Sequence, residues 1–263
     1  MNENHKAWDL EAAVKYYETV RNKPEDIYES ERVFFFPLIQ RVKSVLDVGC
    51  AAGGTYNIIH KINPRVHYTG IDVSERMIKA AKTLFPSTNF KITPGGKLDF
   101  PDNSFDLVLE LGVMHHIINY KNFIRECFRV CRSYCLLDLP RLLPKEHKFD
   151  INESYMLLNE RFHEEESIDP SVTKVPYVLV DAAEILSFLL SDLKPARILV
   201  KGYFGECDKS AKLPVDEVCF AVACLEKTGS QSGLIADLPQ RILARLKEKE
   251  IKFKEPFEWI IES

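Results

Sequence analysis

Val45-Leu46-Asp47-Val48-Gly49-Cys50-Ala51-Ala52-Gly53-Gly54 decides the fold of this chain. Four residues of a short apolar run end in a glycine-rich turn, and a helical pattern follows at 55–62. A strand that runs through a glycine-rich turn into a helix is the opening unit of a parallel α/β sheet, and its turn commonly holds a nucleotide-like ligand.

Working outward, apolar runs at 44–48, 66–71, 89–92, 105–111 and 134–139 read as buried strands. Helical patterns at 55–62, 75–84 and 120–132 separate most of them. Strands alternating with helices predict a parallel sheet with right-handed crossovers. Upstream, residues 1–43 mix charge with aromatics and predict a helical cap of two amphipathic helices near 7–20 and 26–42. The rhythm breaks after Leu139. Residues 140–176 hold Pro140, Pro144, Pro170 and Pro176 with the acidic cluster Glu164-Glu165-Glu166, and are expected to form an insertion with its own helix. Asp181 to Leu190 reads as a helix with an Asp cap, and the runs 197–204 and 215–225 as two closing strands. From Thr228 the composition becomes that of a flexible linker, Gly-Ser-Gln-Ser-Gly, and 228–263 is expected to be linker and tail with an amphipathic helix over 238–249. The expected domain proper is therefore 44–227.

Bulk properties narrow the function. The apolar fraction is 46%, the charged fraction 28%, and the formal net charge −4, which argues against a general nucleic-acid binder. Seven cysteines, an odd count, with no signal peptide, predict reduced, buried thiols in a cytoplasmic protein. Cys127, Cys131 and Cys135 repeat every four residues, but no CxxC or CxH pattern accompanies them, and no metal is expected. No apolar stretch has the length of a membrane span.

The ligand of the turn follows from two acids. A dinucleotide fingerprint needs glycines at 49, 51 and 54, and position 51 is Ala. Asp47 lies two residues before the first glycine. Beside a pyrophosphate it would add charge of the same sign, whereas beside an ammonium and a sulfonium it is favourable. Asp72, closing Tyr68-Thr69-Gly70-Ile71-Asp72 at the end of the second strand, can accept both hydroxyls of a ribose. Asp72 supports an adenosine ligand; Asp47 chooses the cationic one. As a bland alternative Asp72 only caps the next helix, a role open also to Ser74.

With these residues quoted, VLDVGCAAGG, GIDVS and FPDNSFDLVLELGVMHHI, in that order, resemble class I S-adenosylmethionine-dependent methyltransferases over about residues 44–140, with a looser echo to 227. The resemblance implies a Rossmann-like α/β sheet of seven strands, the last antiparallel, and S-adenosyl-L-methionine as cofactor. It also implies roles for residues of this chain. Asp47 and Gly49 lie beside the methionine part, and Cys50, Ala51 and Gly53 form the turn. Asp72 holds the ribose, Val73 and Met77 flank the adenine, and Leu111 and Gly112 lie below the sulfonium side. Where the family often has Gly-Asp-Ala, this chain has Thr93-Pro94-Gly95-Gly96, so the backbone of Gly95 or Gly96 is expected to read the adenine edge. The family's common Arg-Val-Leu-Lys-Pro-Gly-Gly turn is replaced by Arg129 to Tyr134, which alters the turn before the fifth strand.

His115 and His116 follow the fourth strand, at the edge where ligands bind in open sheets, and are the candidate general bases, His115 ahead. Glu110 lies in the same strand, and Tyr16 and Tyr17 are candidate lids. An activated sulfonium needs chiefly in-line alignment with its acceptor, so little other side-chain chemistry is required. Arg141, Lys145, His147 and Lys148 of the insertion are candidates for meeting phosphate groups. Tyr177 to Glu184 and Lys201 to Gly205 resemble methyltransferases of bacterial cell-surface polysaccharide synthesis, which implies a sugar-based small-molecule acceptor. No nucleic-acid or membrane partner is expected, and a homodimer stays open. Two alternatives stand beside this reading: a nicotinamide-dependent oxidoreductase on the same sheet, and a non-catalytic binding protein that keeps the fold.

Overall fold

The strand β1 (Ser44–Val48) is buried along nearly its whole length, because a parallel strand in the middle of a sheet has helices on both faces. It pairs in parallel with β2 (His67–Asp72) on one side and β4 (Phe105–Glu110) on the other. β3 (Asn89–Ile92) lies outside β2, and β5 (Cys131–Asp138) outside β4. The chain is described by a computed structural model over residues 8–158, 173–207, 209–229 and 233–255.

Beyond β5, the long hairpin of β10 (Arg197–Gly205) and β12 (Val218–Glu226) closes the sheet. β12 runs antiparallel to both β5 and β10. The order β3-β2-β1-β4-β5-β12-β10 therefore holds the seven expected strands, with the last of them antiparallel. α3 (Gly54–Ile62), α4 (Glu75–Leu84) and α5 (Tyr120–Val130) make the crossovers. The cap supplies α1 (Glu11–Tyr17) and α2 (Glu29–Arg41); α2 packs Phe34, Phe35, Leu38 and Ile39 into the core beneath one sheet face. Cys127, Cys131 and Cys135 are buried within the core on the other face.

One expectation is corrected. Residues from 228 onward include more than linker and tail. β13 (Gly233–Asp237) adds a parallel strand outside β10, while the helix expected over 238–249 is present as α7 (Gln240–Glu248) and buries Ile242, Leu243 and Leu246 against the main core. Arg245 of α7 forks onto Asp181 at 2.6 and 3.2 Å, both side chains buried. Alternating Leu234 and Ala236 face the core, a period of two that the neighbouring glycines and serines obscured. The insertion 140–176, expected to carry a helix, shows strands among its described residues, and its residues 159–172 lie outside them. β6 (Arg141–Leu143) joins β12 and β9 (Leu179–Asp181). β7 (Tyr155–Leu158) and β8 (Thr173–Pro176) form a small sheet with β11 (Ala211–Lys212). The Glu164 to Glu166 cluster and Pro170 lie outside the described residues. α6 (Ala182–Phe188) starts as expected, its Asp181 cap accepting from Ala183 N at 3.0 Å. No helix among the described residues is long and apolar enough to cross a membrane.

Candidate active site

The glycine turn after β1 is held by its neighbour strand: Gly49 N and Cys50 N both donate to the Ile71 carbonyl, at 2.8 and 3.0 Å. Gly49 has φ +82°, and a Cβ there would lie 2.2 Å from Val113 Cγ2. Glycine is thus required twice over, by conformation and by space. Ala51, where a dinucleotide turn would have glycine, also adopts a left-handed conformation, φ +45°.

The turn opens on a cavity of about 1400 Å³. Of the twelve cofactor positions expected from the sequence, eleven line it, from Asp47 and Gly49 through Asp72 and Met77 to Gly95, Gly96, Leu111 and Gly112. Gly53 is the exception. It caps α3 at φ +87° and packs against Phe85 and Phe90, away from the cavity, while Gly54 takes its place in the lining.

Asp47 is buried and accepts the Tyr68 hydroxyl at 2.6 Å. Burial lifts its carboxyl to about 6, against the lowering effect of that hydrogen bond. A cation entering the cavity relieves this cost, since an opposite charge favours the ionised form. Asp72 is shaped differently: Oδ2 accepts Ala51 N at 3.0 Å and Oδ1 accepts Ser74 N at 2.9 Å, so each oxygen keeps capacity for a further donor. The cap of α4 is Ser74, whose Oγ accepts Met77 N at 3.1 Å. Asp72 is thereby freed from capping. Gly96 and Gly112 line the cavity with φ +81° and +102°, and nothing stands within 4 Å of a Cβ built on either. Bare backbone beside open space lets a flat ligand approach closely. The residues present fit an adenosine-bearing cation.

The second half of the cavity joins residues that the sequence reading had given a role to others that it had not. Asp138 at the end of β5, Arg141, Tyr177, Tyr203 and Phe220 line it together with His115 and His116, and Arg21 and Glu31 line the same cavity. Arg141 is buried, and its donors are committed: Nη1 to Asp138 Oδ1 at 2.9 Å, Nε to Tyr177 Oη at 3.3 Å, and Nη2 to His115 Nδ1 at 3.1 Å. Its guanidinium also lies 4.6 Å over the Phe220 ring. Arg141 therefore orients this wall, with four of its five N–H groups engaged inside the protein once the Leu139 carbonyl, 3.3 Å from Nη1, is counted. Lys145, His147 and Lys148 do not line the cavity.

His115 and His116 lie in one turn of 3-10 helix, Met114–His116, directly after β4. Glu110 positions that turn. Its Oε1 accepts Val113 N and Met114 N at 2.6 and 2.9 Å, while Oε2 is buried without a partner among the described residues. Burial, with nearby Asp138, pushes Glu110 up to about 8, so it is protonated at neutral pH. Glu110 does not line the cavity. Burial, Arg141 and His116 hold His115 well below the usual imidazole range, and burial brings His116 down to about 4. Both rings are neutral. Trp8 closes over them, its ring 4.8 Å from that of His116. Tyr16 and Tyr17 also line the cavity.

Residues 46–137 match the family model described as a methyltransferase domain. Ajmaline N-methyltransferase of Rauvolfia serpentina is 32% identical over 101 residues, 36% of this chain and 34% of that protein. Demethylmenaquinone methyltransferase of Listeria welshimeri is 33% identical over 100 residues, 36% of this chain and 42% of that protein. The matches thus span less than half of those relatives' length. The crystal structure of a SAM-dependent methyltransferase from Methanosarcina mazei superposes with a TM-score of 0.52 at 19% identity, over 78% of this chain and 99% of that one, and shares the fold.

Proposed function

We propose that this chain is a class I S-adenosylmethionine-dependent methyltransferase that transfers a methyl group from S-adenosylmethionine to a small-molecule acceptor, a reading supported by its fold and its matched domain. One observation carries the reading: a single cavity joins the two acids of the glycine-turn half, buried Asp47 and half-buried Asp72, to a second half walled by His115, His116 and Tyr177. At about 1400 Å³ it exceeds the usual span of single-ligand pockets, roughly 300–1000 Å³, and so has room for donor and acceptor together. Both relatives are named as methyltransferases of small molecules.

When bound, the cofactor supplies a methyl carbon already activated by its sulfonium. What remains for the protein is alignment and the fate of one proton. Asp72 takes the ribose hydroxyls and Asp47 the ammonium, which fixes the donor along the strand ends. The wall of Arg141, Tyr177 and Phe220 holds the acceptor opposite. The Nδ1–H of His116 donates to the Pro176 carbonyl at 2.8 Å, leaving Nε2 with a free lone pair. In this reading His116 Nε2, rather than His115, takes the proton of a hydroxyl or ammonium acceptor. A sugar acceptor, the class implied by the Tyr177 and Lys201 segments, is compatible with Tyr177, Tyr203 and Gly205 lining the second half. The two relatives instead bear the names of an alkaloid and a quinone enzyme.

Calorimetry with S-adenosylhomocysteine tests the donor half. The protein should bind it in the micromolar range, and Asp72→Ala should weaken it by about 10- to 100-fold, the worth of charged hydrogen bonds. No binding by the unaltered protein would end the proposal.

A further inference from the structure

Between α1 and α2 the chain makes a tight turn at Arg21, which adopts a left-handed conformation, φ +54°. That turn is pressed onto the glycine loop. The carbonyl oxygens of Val20 and Arg21 lie 2.7 and 2.8 Å from where a Cβ on Gly54 would stand, and Asn57 Nδ2 donates to Asn22 O at 3.0 Å. Gly54 and Asn57 belong to the first turn of α3, so the backbone of Arg21 is seated beside the donor half of the cavity. A side chain in a strained backbone conformation, held there by its surroundings, suggests a positional task.

The guanidinium is fixed on two sides. Nη2 donates to Glu31 Oε1 at 2.5 Å, and the Tyr28 ring lies 5.1 Å from its centre. Glu31 is itself held, its Oε2 accepting Tyr28 N at 3.1 Å. Nη1, by contrast, is buried with no hydrogen-bond partner among the described residues. A guanidinium has only donors, so this nitrogen needs an acceptor. Burial raises the Glu31 carboxyl, with the Arg21 guanidinium opposing the rise. Arg21 lines the same cavity as Asp47 and Gly49.

We infer that Arg21 Nη1 anchors the carboxylate at the methionyl end of the donor, while Asp47 takes the ammonium of the same zwitterion. The inference rests on the donor reading above. It makes Arg21 a binding residue for the amino-acid end only, so the nucleoside end should be indifferent to it. A carboxylate on the acceptor is the other source of the same chemistry, and the choice of ligands separates the two.

Calorimetry with S-adenosylhomocysteine and with 5′-methylthioadenosine, which lacks the amino-acid end, reads the difference on the full chain. Arg21→Met should weaken S-adenosylhomocysteine by about 10- to 100-fold, and leave 5′-methylthioadenosine unchanged. Because Arg21→Met strands Glu31, Arg21→Met/Glu31→Gln provides the same comparison with no buried unpaired acid, and the same selective loss is expected. Equal binding of S-adenosylhomocysteine by the unaltered and double-variant proteins overturns the inference and points the guanidinium at the acceptor. Parallel loss of both ligands in the double variant also overturns it, since the effect is then on the whole site. Failure of the unaltered protein to bind either ligand removes the donor reading itself.

Discussion

Arg141 Nη2 lies 3.1 Å from His115 Nδ1, and since a guanidinium can only donate, that nitrogen carries a lone pair and the ring proton sits on Nε2. His116 is the reverse, its Nδ1 proton spent on the Pro176 carbonyl. Two imidazoles with centroids 4.0 Å apart thus differ in tautomer, one with a donor and the other with an acceptor at Nε2. Long-range ¹H–¹⁵N correlation spectra should show two neutral rings of opposite tautomer from pH 6 to 8. Matching tautomers, or either ring protonated at pH 7, would contradict this arrangement. Once an acceptor is found, His116→Ala should lower turnover by about 10²- to 10⁴-fold if a proton must be removed, with affinity for S-adenosylhomocysteine little changed.

Two glycines of the site should fail in different ways. In Gly49→Ala the new methyl meets Val113 Cγ2 at 2.2 Å on a backbone of φ +82°, so both the fold of the loop and its ligand binding are expected to suffer. Gly112→Ala has φ +102° but open space, and costs stability only through backbone strain, about 1–2 kcal/mol. Its methyl would project into the cavity. Thermal melts beside calorimetry separate the cases: Gly112→Ala should lose binding while melting only a few degrees lower, and unimpaired binding would count against the site.

Donor affinity should depend on pH through Asp47. In the free protein its carboxyl titrates at about 6, and the ammonium is attracted only by the ionised form. Affinity for S-adenosylhomocysteine is therefore level above pH 7 and falls below pH 6, toward a limit of about tenfold per pH unit. Asp47→Asn should remove that fall. A pH-independent affinity in the unaltered protein would show that Asp47 does not meet the ammonium.

Glu110 makes the opposite kind of contribution, to stability. Its carboxyl is raised by burial to about 8, above its unfolded value near 4.5, so the folded state holds a proton that the unfolded state has released. Between those two values stability declines as pH rises, by at most about 1.4 kcal/mol per pH unit for one group. Glu110→Gln keeps an oxygen for Val113 N and Met114 N and cannot ionise. It should therefore flatten the decline in melting temperature from pH 6 to 8, and an unchanged slope would refute the assignment.

The sequence by itself determined the sheet, the turn and the residues that line the cavity around that turn, because these are local. A strand of five residues, a glycine turn and an acid at the next strand's end are fixed by patterns within about thirty positions, and parallel pairing then sets Asp47 beside Gly70 and brings Asp72 to Ala51. Only the tertiary structure decided the rest. Arg141 reads as a loop cation until it is seen buried among Asp138, Tyr177 and His115, partners 3, 36 and 26 positions away. Arg21 and Glu31 stand in a segment whose pattern predicts only a helical cap, and become a fixed pair at the cavity because the cap turn closes on Gly54. The strand of residues 233–237 was hidden by the linker-like composition before it and by its shortness, and it is held by the exposed edge of β10. Local pattern carries the information for backbone conformation; which polar groups are stripped of water, and which partner each then finds, is settled when distant segments meet.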